Sequence, residues 1–311
     1  MINVVFSSFN GERTLGTTLA AFASLAIPEG GWKLIAVDNG STDSTADIMK
    51  SFVGRLPMQV LTVPGRGKNF ALNEALRHID GDLVVFTDDD VIPDPQWLCA
   101  LQHCARANPG YGVFGGPIIP HWPRAPDAWI LKHVPMGMVY AASDPGMKSG
   151  PVDVGFIWGP NMAIRKTLFD AGVRFNPAVG PDGTPHYAMG SEYEFTRRLA
   201  AQGVKAWFCT DAKVEHIVRE NQLSKQWVLQ RFFRHGRSLY LLDDVRQANA
   251  PRIFGAERWL YRKMVLSYCK AMSLQLLGQS DRAFLAFQTY HRTKGMIFQS
   301  RLLNAHKGAV S

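Results

Sequence analysis

The sequence predicts an α/β protein, with a mostly parallel sheet covered by helices on both faces and a helical extension at its C-terminal end. Short apolar runs alternate with helix-spaced segments through the first ninety residues, the pattern of strands joined by crossover helices. Two of those runs end in acidic turns, Asp38–Asp43 and Asp88–Asp90, where ligands of open parallel sheets bind. Charge then divides the chain. Residues 1–215 hold 18 Lys/Arg against 21 Asp/Glu, a net of −3, and residues 216–311 hold 16 against 5, a net of +11.

Taken in order, Ile2–Phe6 is a β-rich run and Leu15–Leu25 has helical spacing. Leu34–Val37 is a second strand, and it passes through Asp38-Asn39-Gly40-Ser41-Thr42-Asp43 into a helix N-cap. Met58–Val63, Asn69–Ile79 and Leu83–Thr87 continue as strand, helix and strand. Residues 116–150, rich in Pro, Gly, Trp and Met without a clear period, are expected to be irregular loops around a site. Ser191–Gln202 reads as a helix and Lys205–Phe208 as a strand. From Gln222 the pattern is helical to the end, with breaks near Ala248–Pro251 and Gly278–Ser280. A chain of 311 residues exceeds the usual single domain. The expected division is an α/β domain at 1–218 and a basic helical region at 219–311.

Composition excludes several classes. With 46% hydrophobic residues the chain has material for a packed core, so wholesale disorder is excluded. The four cysteines form no CxxC pair and no zinc-type cluster. Free thiols and an opening that runs straight from Met1 into a strand fit a cytoplasmic protein. No run of roughly 18 apolar residues occurs, so no span is expected. The basic tail calls for a polyanionic partner or is a solvated helical face. Nucleic acid is the weakest of the partners, because no nucleic-acid module and no stacking platform appears.

Three consecutive aspartates at a strand end are costly unless a cation neutralises them. Mn²⁺ or Mg²⁺ takes carboxylate oxygens together with substrate phosphates. Asp88 and Asp90 would face that ion from one side of the strand and Asp89 would turn away; a solvated acidic turn is the alternative. Asp38 can accept hydrogen bonds from a base or ribose, or belong to a capped turn. Gly65-Arg66-Gly67-Lys68-Asn69 lacks the Gly-Lys-Ser/Thr of a P-loop. Its glycines and cations, Lys68 among them, can still approach a phosphate at a helix start.

Together these motifs resemble family 2 glycosyltransferases of the GT-A fold from residue 2 to about residue 240. Val4-Val5-Phe6-Ser7-Ser8-Phe9-Asn10 resembles the family's first strand and nucleotide loop, and Val37–Asp43 its Val-Asp-Asp-Gly-Ser-Thr-Asp motif, with Asn39 in place of the second Asp. Asn69–Asn73 resembles its Ala-Leu-Asn helix, Thr87–Asp90 its Asp-x-Asp motif, and Gly159–Arg165 the segment lining the donor and acceptor cleft. The resemblance implies an inverting, hexosyltransferase-like enzyme using a nucleotide diphosphate-sugar, with a UDP-sugar favoured. Ser8, Asn10, Glu12, Asp38, Lys68, Asp88, Asp89 and Asn161 would contact the donor, and Asp88 and Asp90 the metal. Gly190–Phe195 resembles the family's Glu-Asp-x-Glu/Asp-Leu segment, which puts Glu192 where the catalytic Asp usually stands and Ser191 where the Glu before it stands. Glu194 is the rival for the base, and both acids also suit a helix N-terminus. His216 resembles a metal or diphosphate ligand of some relatives. Arg231, Arg234 and Arg237 lie in a segment weakly similar to the Gln-x-x-Arg-Trp motif of processive relatives, with His235 for Trp. That departure argues against a processive synthase and leaves Arg234 as a diphosphate or lipid-phosphate contact, or as part of a solvated face. The acceptor would be a hydroxyl, such as that of a lipid-linked saccharide in cell-surface polysaccharide or glycolipid synthesis. The helical region would meet an anionic membrane surface on the inner face, pack on the catalytic domain, or form a homodimer. A catalytically weakened nucleotide-sugar-binding protein of the same fold is the alternative, given Asn39, Ser191 and Glu192.

Overall fold

The strand β1 (Ile2–Ser8) is buried along almost its whole length, as a central parallel strand covered on both faces must be. A computed structural model describes residues 1–65, 67–242, 245–247 and 250–308. Arg66 of the glycine-rich segment and Ala248 at the expected break lie outside the described residues.

After β1 come α1 (Leu15–Phe22), β2 (Trp32–Asp38), α2 (Thr45–Ser51), β3 (Met58–Thr62), α3 (Lys68–Ala75) and β4 (Leu83–Phe86). The chain continues through β5 (Val91–Pro93), α4 (Trp97–Ala107), β6 (Val113–Gly115), β7 (Ile118–His121), α5 (Ala128–His133), α6 (Met136–Tyr140) and β8 (Gly150–Val152). Then follow β9 (Met162–Arg165), α7 (Lys166–Asp170), α8 (Ser191–Ala201), β10 (Ala206–Phe208) and β11 (Val214–Ile217). The main sheet has the order β3-β2-β1-β4-β9-β6-β10-β8. Its first four strands are parallel, and β9 runs antiparallel to both β4 and β6. A smaller sheet, β5-β11-β7, carries the late strand.

Side chains alternate across the main sheet. Val4 and Phe6 join Leu15, Leu19 and Phe22 of α1 and Trp97 and Leu101 of α4 in one core. Val5, Val84 and Phe86 join Ala71 and Leu72 of α3 and Phe195 and Leu199 of α8 in the other. In that second core Phe175 stacks on Phe195 with ring centroids 4.2 Å apart, and meets Phe86 edge-on at 5.0 Å. Burying rings of this size contributes about 2–3 kcal/mol each, which holds α8 and the chain around Phe175 against β4.

The chain forms two compact units. One comprises Met1–Pro123, Met136–Gly183 and Ser191–Val218, and the other Arg124–Pro135, Thr184–Gly190 and the chain from Arg219 onward. The second unit contains α9 (Lys225–Leu241), the hairpin β12 (Arg252–Ile253) and β13 (Ala256–Glu257), α10 (Arg258–Leu276) and α11 (Ser280–Gly308). Gly236 of α9 lies against the carbonyl of Arg292, and Gly295 of α11 against that of Phe233, both too close to admit a Cβ. The two helices therefore cross backbone to backbone.

Two expectations need correction. Residues 116–150 are not wholly irregular, since β7, α5 and α6 form there. These elements are only four to six residues long, too short for a period to show. The helical reading of the tail, with its break near Ala248–Pro251, does not include the strands that follow that break. The β12–β13 hairpin interrupts the tail, turning at Phe254 and Gly255, both of which have positive φ.

Candidate active site

Everything that gathers at the carboxyl ends of β1, β2 and β4 starts from backbone ties. Thr87 donates its hydroxyl to the Pro160 carbonyl at 2.9 Å, and the Asp89 carbonyl accepts from the Thr18 hydroxyl at 3.0 Å. The Asp90 carbonyl accepts from Ile217 N–H at 2.8 Å, which draws β11 alongside the acidic turn. Asp88, Asp90 and His216 then present donor atoms that all lie within 4.8 Å of one another.

His216 Nε2 faces Asp90 Oδ1 at 3.2 Å. Its Nδ1 lies 2.9 Å from the Tyr140 carbonyl, an acceptor only, so the proton belongs on Nδ1. In the neutral ring that leaves the Nε2 lone pair to a cation, with the backbone contact orienting the ring as metal-ligating histidines are oriented. Burial works against a charged ring, but Asp90 and then Asp88 outweigh it and raise the His216 pKa. Burial likewise holds the Asp88 carboxyl above the ordinary carboxylate range. Lys68 opposes that shift, while Asp90 and Glu192 add to it.

Lys68 is the hinge of the arrangement. It opens α3 after Gly67, whose φ of 99° suits glycine. Its ammonium lies 2.6 Å from Asp88 and 3.0 Å from Glu192. Burial alone would lower its pKa, yet the two carboxylates hold it above its ordinary value.

Glu192 comes from the first turn of α8, and that turn is anchored by its neighbour. The Ser191 hydroxyl donates to Asn69 Oδ1 at 2.5 Å, and Asn69 Nδ2 donates to the carbonyls of Asn176 and Val179 at 2.8 and 2.9 Å. Ser191 thus ties α8 to α3, one residue from Lys68. The Glu192 carboxylate lies over Gly159, where a Cβ would sit 2.5 Å from its Oε1. The rival Glu194 is instead paired with Arg198 at 2.8 Å along the same helix.

The remaining predicted residues divide into two groups. Asn10, with φ of 54°, accepts from Thr42 N–H at 2.9 Å, and Glu12 accepts from Ser44 N–H at 3.2 Å. Asp38 accepts from Ser41 N–H at 3.0 Å. Ser8 donates to the Asp89 carboxylate. These contacts lace the β1 and β2 loops together beside the acidic turn, and Asp89 turns to the loop rather than to the Asp88–Asp90–His216 cluster. Asn161, expected to contact the donor, is turned into the core. It is 1% exposed, accepts from Trp97 Nε1 at 2.9 Å and donates to the carbonyls of Ala212 and Pro117. Its amide is consumed in bracing the sheet. Arg234 lies in the second unit, donating to the Pro185 carbonyl at 3.0 Å with its guanidinium over the Tyr187 ring at 4.6 Å. Sequence reasoning missed the Tyr140 carbonyl and Gly159. The first offers no side-chain signal, and the second stands inside a recognised motif as an unremarkable glycine.

The model of glycosyl transferase family 2 matches residues 3–172, so the chain belongs to that family, and it is a glycosyltransferase of GT-A fold. It is 26% identical over 234 residues to the succinoglycan biosynthesis protein ExoM of Rhizobium meliloti, covering 72% of this chain and 69% of that one. It is 21% identical over 245 residues to the glucosyl-dolichyl phosphate glucuronosyltransferase of Haloferax volcanii, covering 78% and 77%. Similar solved structures include S. aureus TarS in complex with UDP-GlcNAc, at TM-score 0.57 and 15% identity over 99% of this chain and 92% of that one. A mannosyltransferase from Pyrobaculum calidifontis in complex with GDP-Man and Mn²⁺ gives 0.59 and 19% over 98% and 87%. At such identities these structures establish the shared fold.

Proposed function

We propose that this glycosyltransferase moves a sugar from a nucleotide diphosphate-sugar to a hydroxyl acceptor with inversion, using a divalent metal ion. The observation that carries the proposal is the cluster of Asp88, Asp90 and His216, joined through Lys68 to Glu192. Two carboxylates and an oriented imidazole fit a divalent ion that accepts oxygen and nitrogen, and Mn²⁺ tolerates that mixture better than Mg²⁺. When bound, the ion supplies Lewis-acid stabilisation of the departing diphosphate.

The chain's own residues do the rest. Asp38 and the laced loops of Ser8, Asn10 and Glu12 receive the nucleoside. Lys68 adds a half-buried positive charge where the diphosphate gathers negative charge, and such fixed charges act strongly in a site shielded from water. Glu192 accepts the proton of the acceptor hydroxyl as that oxygen bonds to the anomeric carbon. The bond from that carbon to the diphosphate oxygen breaks, and the electron pair leaves with the nucleoside diphosphate. One displacement from the opposite face inverts the centre.

The relatives support this reading in two respects. Structural neighbours hold UDP-GlcNAc, or GDP-Man with Mn²⁺, which makes UDP-sugars the first donors to try and Mn²⁺ the first ion. The curated relatives are named for succinoglycan biosynthesis and for transfer to a dolichyl phosphate-linked sugar, so the acceptor we propose is a lipid-linked saccharide of cell-surface polysaccharide or glycolipid synthesis. In this reading residues 1–218 are catalytic and 219–311 serve the acceptor and its surroundings, at the inner face of the membrane.

The test separates the two acids of α8. Glu192→Gln should lower the transfer rate by about 10²–10⁴-fold with donor affinity nearly unchanged, as loss of a general base does. Glu194→Gln should stay within a few-fold of wild type. If Glu194→Gln is the dead variant and Glu192→Gln the active one, the assignment of the base is wrong.

A further inference from the structure

Helix α10 shows solvent a surface that its own bundle does not account for. Leu260, Ser267 and Ala271 are buried on its inner side. On the opposite side Val265, Cys269, Met272 and Leu276 follow at i, i+4, i+7 and i+11, which aligns them in one stripe, and all four are exposed. The stripe ends at Leu276 and Leu277, 84% and 69% exposed, where the chain turns at Gly278 into α11. Along one flank Arg262, Lys263 and Lys270 share a shallow groove with Trp259 and Leu266. From Arg258 to Ser280 the sequence contains no Asp or Glu.

Single exposed leucines are ordinary, but a continuous apolar stripe marks a contact surface. A second copy of the chain is a poor occupant. Two-fold pairing would lay the face on itself and bring Arg262, Lys263 and Lys270 against the same cations. An uncharged apolar partner would leave those cations unused. An anionic bilayer answers both features, with acyl chains for the stripe and headgroup phosphates for the flank. No helix among the described residues is long and apolar enough to cross a membrane, so the helix would lie in the interface.

We propose that α10 is a membrane-docking helix, in which Val265, Met272, Leu276 and Leu277 enter the acyl boundary of an anionic leaflet and Arg262, Lys263 and Lys270 bind its phosphates. The surface does not depend on the donor reading above. It is tested by co-sedimenting the full chain at about 0.1 M salt, where surface charges still act over roughly 10 Å, with phosphatidylglycerol-containing vesicles and with pure phosphatidylcholine vesicles. The expected result is capture by the anionic vesicles only. Arg262→Gln, Lys263→Gln and Lys270→Gln should each weaken partition about fivefold. Leu276→Asp with Leu277→Asp should abolish capture, while Ile27→Asp, at an exposed apolar residue of the other unit, should leave it unchanged. Thermal melts of every variant exclude loss of fold. Three results would overturn the proposal: no capture by any vesicle, capture indifferent to these substitutions, or a lipid-free dimer that Leu276→Asp dissolves.

Discussion

Glu192 can lie against Lys68 because position 159 carries no side chain. A Cβ there would meet Glu192 Oε1 at 2.5 Å and its Cγ at 2.8 Å, so Gly159→Ala must push the carboxylate aside. Displacement of a reacting group by about 1 Å costs on the order of 10²-fold in rate. Gly159→Ala should therefore lose activity on that scale while binding the donor normally, as turnover and calorimetry on the same preparation would reveal; unchanged turnover would mean Glu192 has room to spare. Residue types at strand and helix ends were legible in the sequence, and with the family resemblance they make Asp88, Asp90, Lys68, Glu192 and His216 candidates. What was not legible was the direction in which each side chain turns. Asn161 sits in a cleft-lining motif yet spends its amide on Trp97, Pro117 and Ala212. Lys68, expected to meet a phosphate, is found holding two carboxylates that lie 20 and 124 residues away.

At the scale of elements, the parallel half of the sheet was readable because β1, β2 and β3 are short apolar runs each followed by a helix, and β4 is such a run ending in the acidic turn. The strand β9 was hidden inside a functional motif. The β12–β13 hairpin was hidden because two residues per strand carry no alternation. The crossing of α9 and α11 depends on glycines that the pattern did not single out. Gly236→Ala places a methyl against the Arg292 carbonyl, and overpacking of this kind costs about 1–3 kcal/mol, so its melting temperature should fall by several degrees. The same helix carries a pH-dependent element. Burial, then Arg292 and Arg231, pull the His235 pKa down from 6.5 to about 4. The unfolded chain therefore takes up this proton first, and the contribution to stability is complete above pH 6.5 and lost as the pH falls toward 4. His235→Gln should remove a loss on the order of 2 kcal/mol across that window, visible as a shallower dependence of denaturation midpoint on pH than in wild type. Identical slopes would show that His235 is not held neutral in the folded chain.

Over the whole molecule, net charge and chemistry are divided in the same way. The first 215 residues are slightly acidic and carry all of the proposed donor site but His216, and the remaining 96 carry the positive excess. That division suits a catalyst whose donor is soluble and whose acceptor is held at an anionic surface. The central claim concerns the donor site: that Asp88, Asp90 and His216 hold the ion through which it receives a nucleotide diphosphate-sugar. Calorimetric titration of UDP- and GDP-sugars into wild type and Asp90→Ala, each with Mn²⁺ and with chelator, tests it most directly. The account predicts binding of one donor that needs Mn²⁺ and weakens at least tenfold in Asp90→Ala, since loss of one ligand of a three-donor site costs more than about 1.4 kcal/mol. Donor binding of equal strength with chelator present, or undiminished in Asp90→Ala, would contradict it.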